Sequence, residues 1–102
     1  MDPTPAQLRN FLRRLRAAID AHRVFVSAYA AERAADELGW GQWDIFEQLK
    51  ELNADDYHRR EVSHGPLADV IWVFTPEGWD EETLWIRLIE RDGVLVVSFH
   101  KA

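Results

Sequence analysis

Leu84-Trp85-Ile86-Arg87-Leu88-Ile89-Glu90-Arg91-Asp92-Gly93-Val94-Leu95-Val96-Val97-Ser98-Phe99-His100 reads as two strands folded about a tight turn. Asp-Gly between alternating apolar segments is a strong short-range hairpin signal, because both residues accept positive φ at little cost. A two-residue turn there sets Arg91 against Val94, Ile89 against Val96, Arg87 against Ser98 and Trp85 against His100. These pairs share one face. The opposite face is expected to hold Leu84, Ile86 and Leu88 with Leu95, Val97 and Phe99, a wholly apolar set that must be the core side.

Working backwards from this hairpin, period-two patterning marks further strands at about 57–63 and 69–74, with the hairpin strands at about 83–91 and 94–100. Thr75-Pro76-Glu77-Gly78 is a loop. Ala68-Asp69-Val70-Ile71-Trp72-Val73-Phe74 is nearly all apolar, as expected for a central strand covered on both faces. The first half has a different period. Thr4 and Gln7 form a capping-box pattern with Pro5 at the first helical position, and Leu8, Phe11, Leu12, Leu15 and Ile19 follow at helical spacing, which predicts a helix over 5–21. The short β-branched and aromatic segment Val24-Phe25-Val26 leads to Ser27, which can cap a second helix carrying Ala28, Ala31 and Ala35 and stopped at Gly39. Trp43, Phe46, Leu49 and Leu52 mark a third helix that Asn53 can end. The expected class is α+β, with N-terminal helices packed on a C-terminal antiparallel β-sheet, in one domain over 1–102.

Composition narrows the functional classes. With 102 residues, 47% of them hydrophobic, five tryptophans and five phenylalanines, the chain can bury a core of its own. The absence of cysteine excludes a disulfide scaffold, a thiolate nucleophile and a cysteine-rich zinc site. No apolar stretch approaches the roughly 18 residues of a membrane span, and the N-terminus has no apolar signal region, so a cytoplasmic protein with no membrane partner is expected. The net charge of −6 argues against a general nucleic-acid coat. That charge is segregated, however: Arg9, Arg13, Arg14, Arg16 and Arg23 face only Asp2 and Asp20 within the first 25 residues. A solvated helix face explains those arginines; docking to an acidic partner or phosphate is the alternative.

The hairpin register groups an aromatic platform (Trp85), a permanent cation (Arg87), a hydroxyl (Ser98) and an imidazole (His100) on one face. Strict alternation along the strand beginning at Tyr57 adds His58, Arg60 and His64 from a second strand. Two imidazoles and a guanidinium supply what RNA cleavage needs: a base for the 2′-hydroxyl, a cation for the phosphorane-like charge and an acid for the leaving 5′-oxygen. His58, His100 and Arg87 are therefore the catalytic candidates, with Tyr57, Arg60, His64, Trp85 and Ser98 as substrate-binding candidates. A metal reading would use His58 and His64 with Asp56 or Glu61, but no HExxH-like spacing supports it, so neither metal nor cofactor is expected. His22 is read as a helix C-terminal dipole partner.

In order along the chain, Arg23-Val24, Ser27-Ala28, Ala35-Asp36-Glu37-Leu38-Gly39, Ala54-Asp55-Asp56-Tyr57, Asp69-Val70 and Val94-Leu95-Val96-Val97-Ser98-Phe99 resemble the MqsR family of toxins from type II toxin–antitoxin systems. The resemblance implies a RelE-like fold, an endoribonuclease (mRNA interferase) that cleaves RNA without a metal, and a cognate antitoxin protein as partner. It also places functional lysines at the positions held here by His58 and His100, a glutamine at Ala68, a tyrosine at Trp85 and a basic residue at Arg87. Histidine carries protons near neutral pH better than lysine does, so the exchange is compatible with nuclease chemistry. The competing expectations are a non-enzymatic interaction or antitoxin-like module on the same fold, and a metal-dependent hydrolase.

Overall fold

The computed structural model describes residues 2–63, 65, 66 and 68–102. In chain order it contains α1 (Pro5–Asp20), β1 (Val24–Val26), α2 (Ala28–Leu38), α3 (Gln42–Lys50), a 3-10 turn (Ala54–Asp56), β2 (Tyr57–Val62), β3 (Val70–Phe74), β4 (Leu84–Glu90) and β5 (Val94–Lys101). The α+β class with helices preceding the main strands is as the sequence predicts. The five strands form one mixed sheet in the order β1-β5-β4-β3-β2. Its last four strands are an antiparallel meander; β1 joins β5 in parallel, pairing Val24 with Val94 and Val26 with Val96.

Local chemistry fixes the helix ends. Thr4 Oγ1 accepts from the Gln7 amide at 3.1 Å, and Gln7 Oε1 accepts from the Thr4 amide at 2.9 Å, closing the capping box. At the other end of α1, His22 lies at φ 58°, its amide bonding the Ile19 carbonyl while that of Arg23 reaches Ala18. His22 thus occupies the left-handed position of a Schellman stop, a backbone role that its expected dipole role did not include. Ser27 caps α2 by accepting the Ala30 amide at 3.1 Å, and its own amide donates to Val96. The chain passes from the β1–β5 ladder into a helix without leaving the sheet edge, so α2 flanks the C-terminal half of β5. Asn53 does not end α3, as expected, but caps the 3-10 turn by accepting from Asp55.

The helices cover one sheet face. Phe11, Leu12 and Leu15 of α1, Ala30 and Ala34 of α2, and Ile45 and Leu49 of α3 pack with Trp72, Phe74, Leu84, Ile86, Leu88, Val94, Val96 and Phe99. Phe11 stacks on Trp72 with ring centroids 4.2 Å apart. Ile71, Val73 and Ile89 form a smaller cluster on the other face, bordered by Trp85, Leu95 and Val97.

Leu95 and Val97 therefore lie opposite their expected side, and Val94 and Val96 take their places in the core. The hairpin loop is Arg91-Asp92-Gly93, three residues rather than two, so Glu90 pairs with Val94 and Leu88 with Val96. A bulge between Leu88 and Arg87 leaves Val97 without a paired residue and restores the expected register beyond it, Arg87 with Ser98 and Trp85 with His100. Two offsets of one residue cancel.

Candidate functional site

The sheet face away from the helices carries the chemistry. One rung crosses four strands: Arg59 pairs with Val73, Val73 with Arg87, and Arg87 with Ser98. Val73 is fully buried beneath this rung, and the two arginines rise on either side of it. The next rung pairs Trp85 with His100. A residue and its cross-strand partner project to the same side, so Trp85, Arg87, Ser98 and His100 share the open face.

A second bulge, between Tyr57 and Arg59, breaks the alternation assumed for β2. Both His58 and Arg59 turn to the open face: the His58 ring meets Trp85 edge-on at 5.7 Å, and the Arg59 guanidinium carbon stands 5.3 Å from the Trp85 ring centre. Arg60 is placed on the helix face instead, its guanidinium 5.1 Å from the Trp72 ring. Tyr57 is also there, packed on Trp72 and Phe74 and donating its hydroxyl to Asp2 at 3.1 Å. Burial first, and the bond to Asp2 second, push the Tyr57 phenol above its ordinary range. The inserted bulge residue turns Arg60 to the helix face and away from the open face where strict alternation placed it, whereas Tyr57 lies on the side opposite His58, as alternation gives. His64 lies outside the described residues.

Arg87 is held by Glu61, whose Oε1 accepts from Arg87 Nε at 3.3 Å while its Oε2 lies 3.4 Å from Arg59 Nη2. Two guanidinium groups from different strands converge on one carboxylate. Sequence reading missed Arg59 and weighed Glu61 only as a metal ligand; the signal was their spacing of two, which sets opposite charges on one side of a strand.

His100 has surroundings of its own. Its Nδ1 is 2.7 Å from the Lys101 carbonyl oxygen, so Nδ1–H donates there and Nε2 is left for other partners. The Tyr29 ring of α2 meets it edge-on at 6.5 Å. Tyr29, Arg33 and Glu37 form one helical stripe at four-residue spacing: Arg33 donates to the Tyr29 hydroxyl at 2.5 Å and ion-pairs with Glu37. The Arg33 bond is the main cause holding the Glu37 carboxyl below its usual range, with His100 and the Lys101 backbone adding to it.

The two histidines stand on β2 and β5, with β3 and β4 between them. Three inter-strand steps put their backbones roughly 14 Å apart, and the Trp85 side chain occupies part of that span. The face is a band, His58 and Arg59 at one side, Arg87 and Trp85 in the middle, Ser98 and His100 at the other, with Ser98 itself buried at 4% exposure. Among the described residues no group of three or more His, Asp or Glu side chains converges as metal ligands would, and no helix is long and apolar enough to cross a membrane.

No curated protein matches the chain. The family model described as "Motility quorum-sensing regulator, toxin of MqsA" matches residues 9–101. That range runs from within α1 to the end of β5 and takes in every strand of the open face. The chain belongs to the MqsR toxin family, whose members are the toxins of toxin–antitoxin systems.

Proposed function

We propose that this toxin is an endoribonuclease, an mRNA interferase acting in the cytoplasm by metal-independent phosphodiester cleavage on the open sheet face. The observation that carries the reading is the pair of adjacent rungs that sets the Arg87 cation and the His100 imidazole beside Trp85 on the face opposite the main core. An aromatic ring accepts a base by stacking, a guanidinium neutralises phosphate bidentately, and imidazole moves protons near neutral pH. His58 brings a second imidazole to the other side of Trp85, so a single RNA strand laid across the band meets a proton-transfer group at either end. The partner is a cognate antitoxin that neutralises this activity.

Purified protein is expected to cut single-stranded RNA equally in the presence of a chelator. Loss of a group that transfers a proton costs about 10²- to 10⁴-fold in rate, and loss of one that stabilises developing charge about 10²- to 10³-fold, so His100→Ala and Arg87→Ala should each suppress both cleavage and growth arrest on induced expression. Mapping of transcript ends after induction reads this directly. Folded variants that arrest growth as strongly as the parent would overturn the assignment, and cleavage restored only by one divalent ion would favour a metal-dependent hydrolase.

A further inference from the structure

Glu61 sets a carboxylate against the arginine pair on the open face. Its two carboxylate oxygens reach Arg87 Nε at 3.3 Å and Arg59 Nη2 at 3.4 Å, so both cations are already aimed at an anion on the open face. Glu61 and Arg59 are themselves partly solvent-exposed, which leaves the pair accessible to a substrate phosphate. Along β2 the order on this face is His58, Arg59, Glu61, with Arg59 in the middle. Three residues of strand separate the imidazole from the carboxylate by about 10 Å at the backbone. That is less than the three-strand span between His58 and His100, and Arg59 stands between the two along the strand.

We propose that Glu61 is the general base of RNA cleavage, with Arg59 joining Arg87 to seat the phosphate and His58 acting as the acid. This rests on the ribonuclease reading above. The Glu61 carboxylate takes the proton of the 2′-hydroxyl; the 2′-oxygen forms a bond to phosphorus; the bond from phosphorus to the 5′-oxygen breaks; and the His58 imidazolium gives its proton to that oxygen. The products are a 2′,3′-cyclic phosphate and a free 5′-hydroxyl, and exchange with water returns both groups to their starting states. On this assignment His100, beyond Trp85, contacts the neighbouring nucleotide in place of the proton-transfer role given to it above.

The test uses the full chain and RNA oligonucleotides. Glu61→Gln keeps an oxygen for the arginines but takes no proton, so kcat should fall about 10²- to 10⁴-fold while KM and the binding of a 2′-O-methyl oligonucleotide stay within threefold. An oligonucleotide with sulfur in place of the scissile 5′-oxygen has a leaving group that needs no acid; it should restore His58→Ala toward the parent rate and leave Glu61→Gln impaired. Glu61→Gln cleaving at the parent rate, while Arg87→Ala does not, overturns the base assignment and leaves the ribonuclease reading standing. Sulfur rescue of His100→Ala together with full activity of His58→Ala moves the acid to His100 and overturns that half. A parent protein that cuts no RNA overturns both readings.

Discussion

Gly93 sits at φ 127°, and a Cβ there would collide with the carbonyl oxygen of Arg23. The Val94 amide donates to that same carbonyl, so the hairpin tip is pressed against the end of α1 and the start of β1. Gly93→Ala has no conformation to relax into and should cost about 2–4 kcal/mol, read as a lowered denaturation midpoint with unchanged slope. At this scale the sequence was informative where backbone conformation is written in residue type. Asp92-Gly93 announced a turn, and the turn led to Trp85 opposite His100. It was misleading at Arg60: nothing in Tyr57-His58-Arg59-Arg60 shows an inserted residue, and one insertion exchanges Arg60 for Arg59 on the open face. Tyr57 escapes this error, because it precedes the inserted residue and lies opposite His58 with or without it.

Elements were legible where their ends are capped by side chains. Thr4, Gln7 and Ser27 place two helix starts within a residue of the structure. The C-terminal end of α1 was harder, since histidine is an unusual residue for a left-handed stop. A non-glycine residue there carries roughly 1–2 kcal/mol of steric cost, partly offset by the backbone entropy that glycine loses on folding. His22→Gly should therefore raise stability by about 0.5–1 kcal/mol, measured as a higher thermal midpoint. An unchanged or lower midpoint would mean that the imidazole makes up the difference through packing against the helix end. The β4–β5 hairpin illustrates the limit from the other side: alternation gives the correct faces only as long as strands have equal residue counts. The three-residue loop and the bulge at Val97 each shift the count by one, so the far rungs were legible and the near ones were reversed.

Across the whole molecule, the N-terminal charge surplus is partly used inside the fold. Arg14 binds Glu90 of β4 through two bonds of 2.5 and 3.0 Å, and Arg16 donates to the Leu52 carbonyl at 2.6 Å, tying α1 to the sheet and to the end of α3. Arg9 and Arg13 remain exposed. Tyr57 makes a comparable tie between β2 and the N-terminus through Asp2. A phenol whose folded pKa is raised favours folding in its protonated form. Its contribution is complete below the ordinary tyrosine range near 10 and is lost as pH rises through the higher folded value. The stability of the parent protein should therefore fall on the alkaline side, and Tyr57→Phe, which has no proton to lose, should flatten that fall in melts recorded between neutral pH and pH 11. An identical alkaline slope in the variant would show that other groups control it. Long-range ties such as Tyr57 to Asp2 have no local sequence signature, because 55 residues separate the partners.

The bulge in β2 bears on self-association as well as on chemistry. β2 is the outermost strand of the sheet, and its free side offers backbone donors and acceptors to any extended chain that comes near. Beside it, Val62 and Val70 are an exposed apolar pair at one end of the strand, the kind of surface on which a second edge could settle. A regular strand of six residues would present an unbroken template there. The inserted residue bends the strand at His58 and Arg59 and interrupts the spacing of the free backbone groups, while the charges of Arg59, Arg60 and Glu61 alternate above and below it. The same irregularity that turns Arg59 to the open face thus also makes this margin a poor template for a second sheet edge.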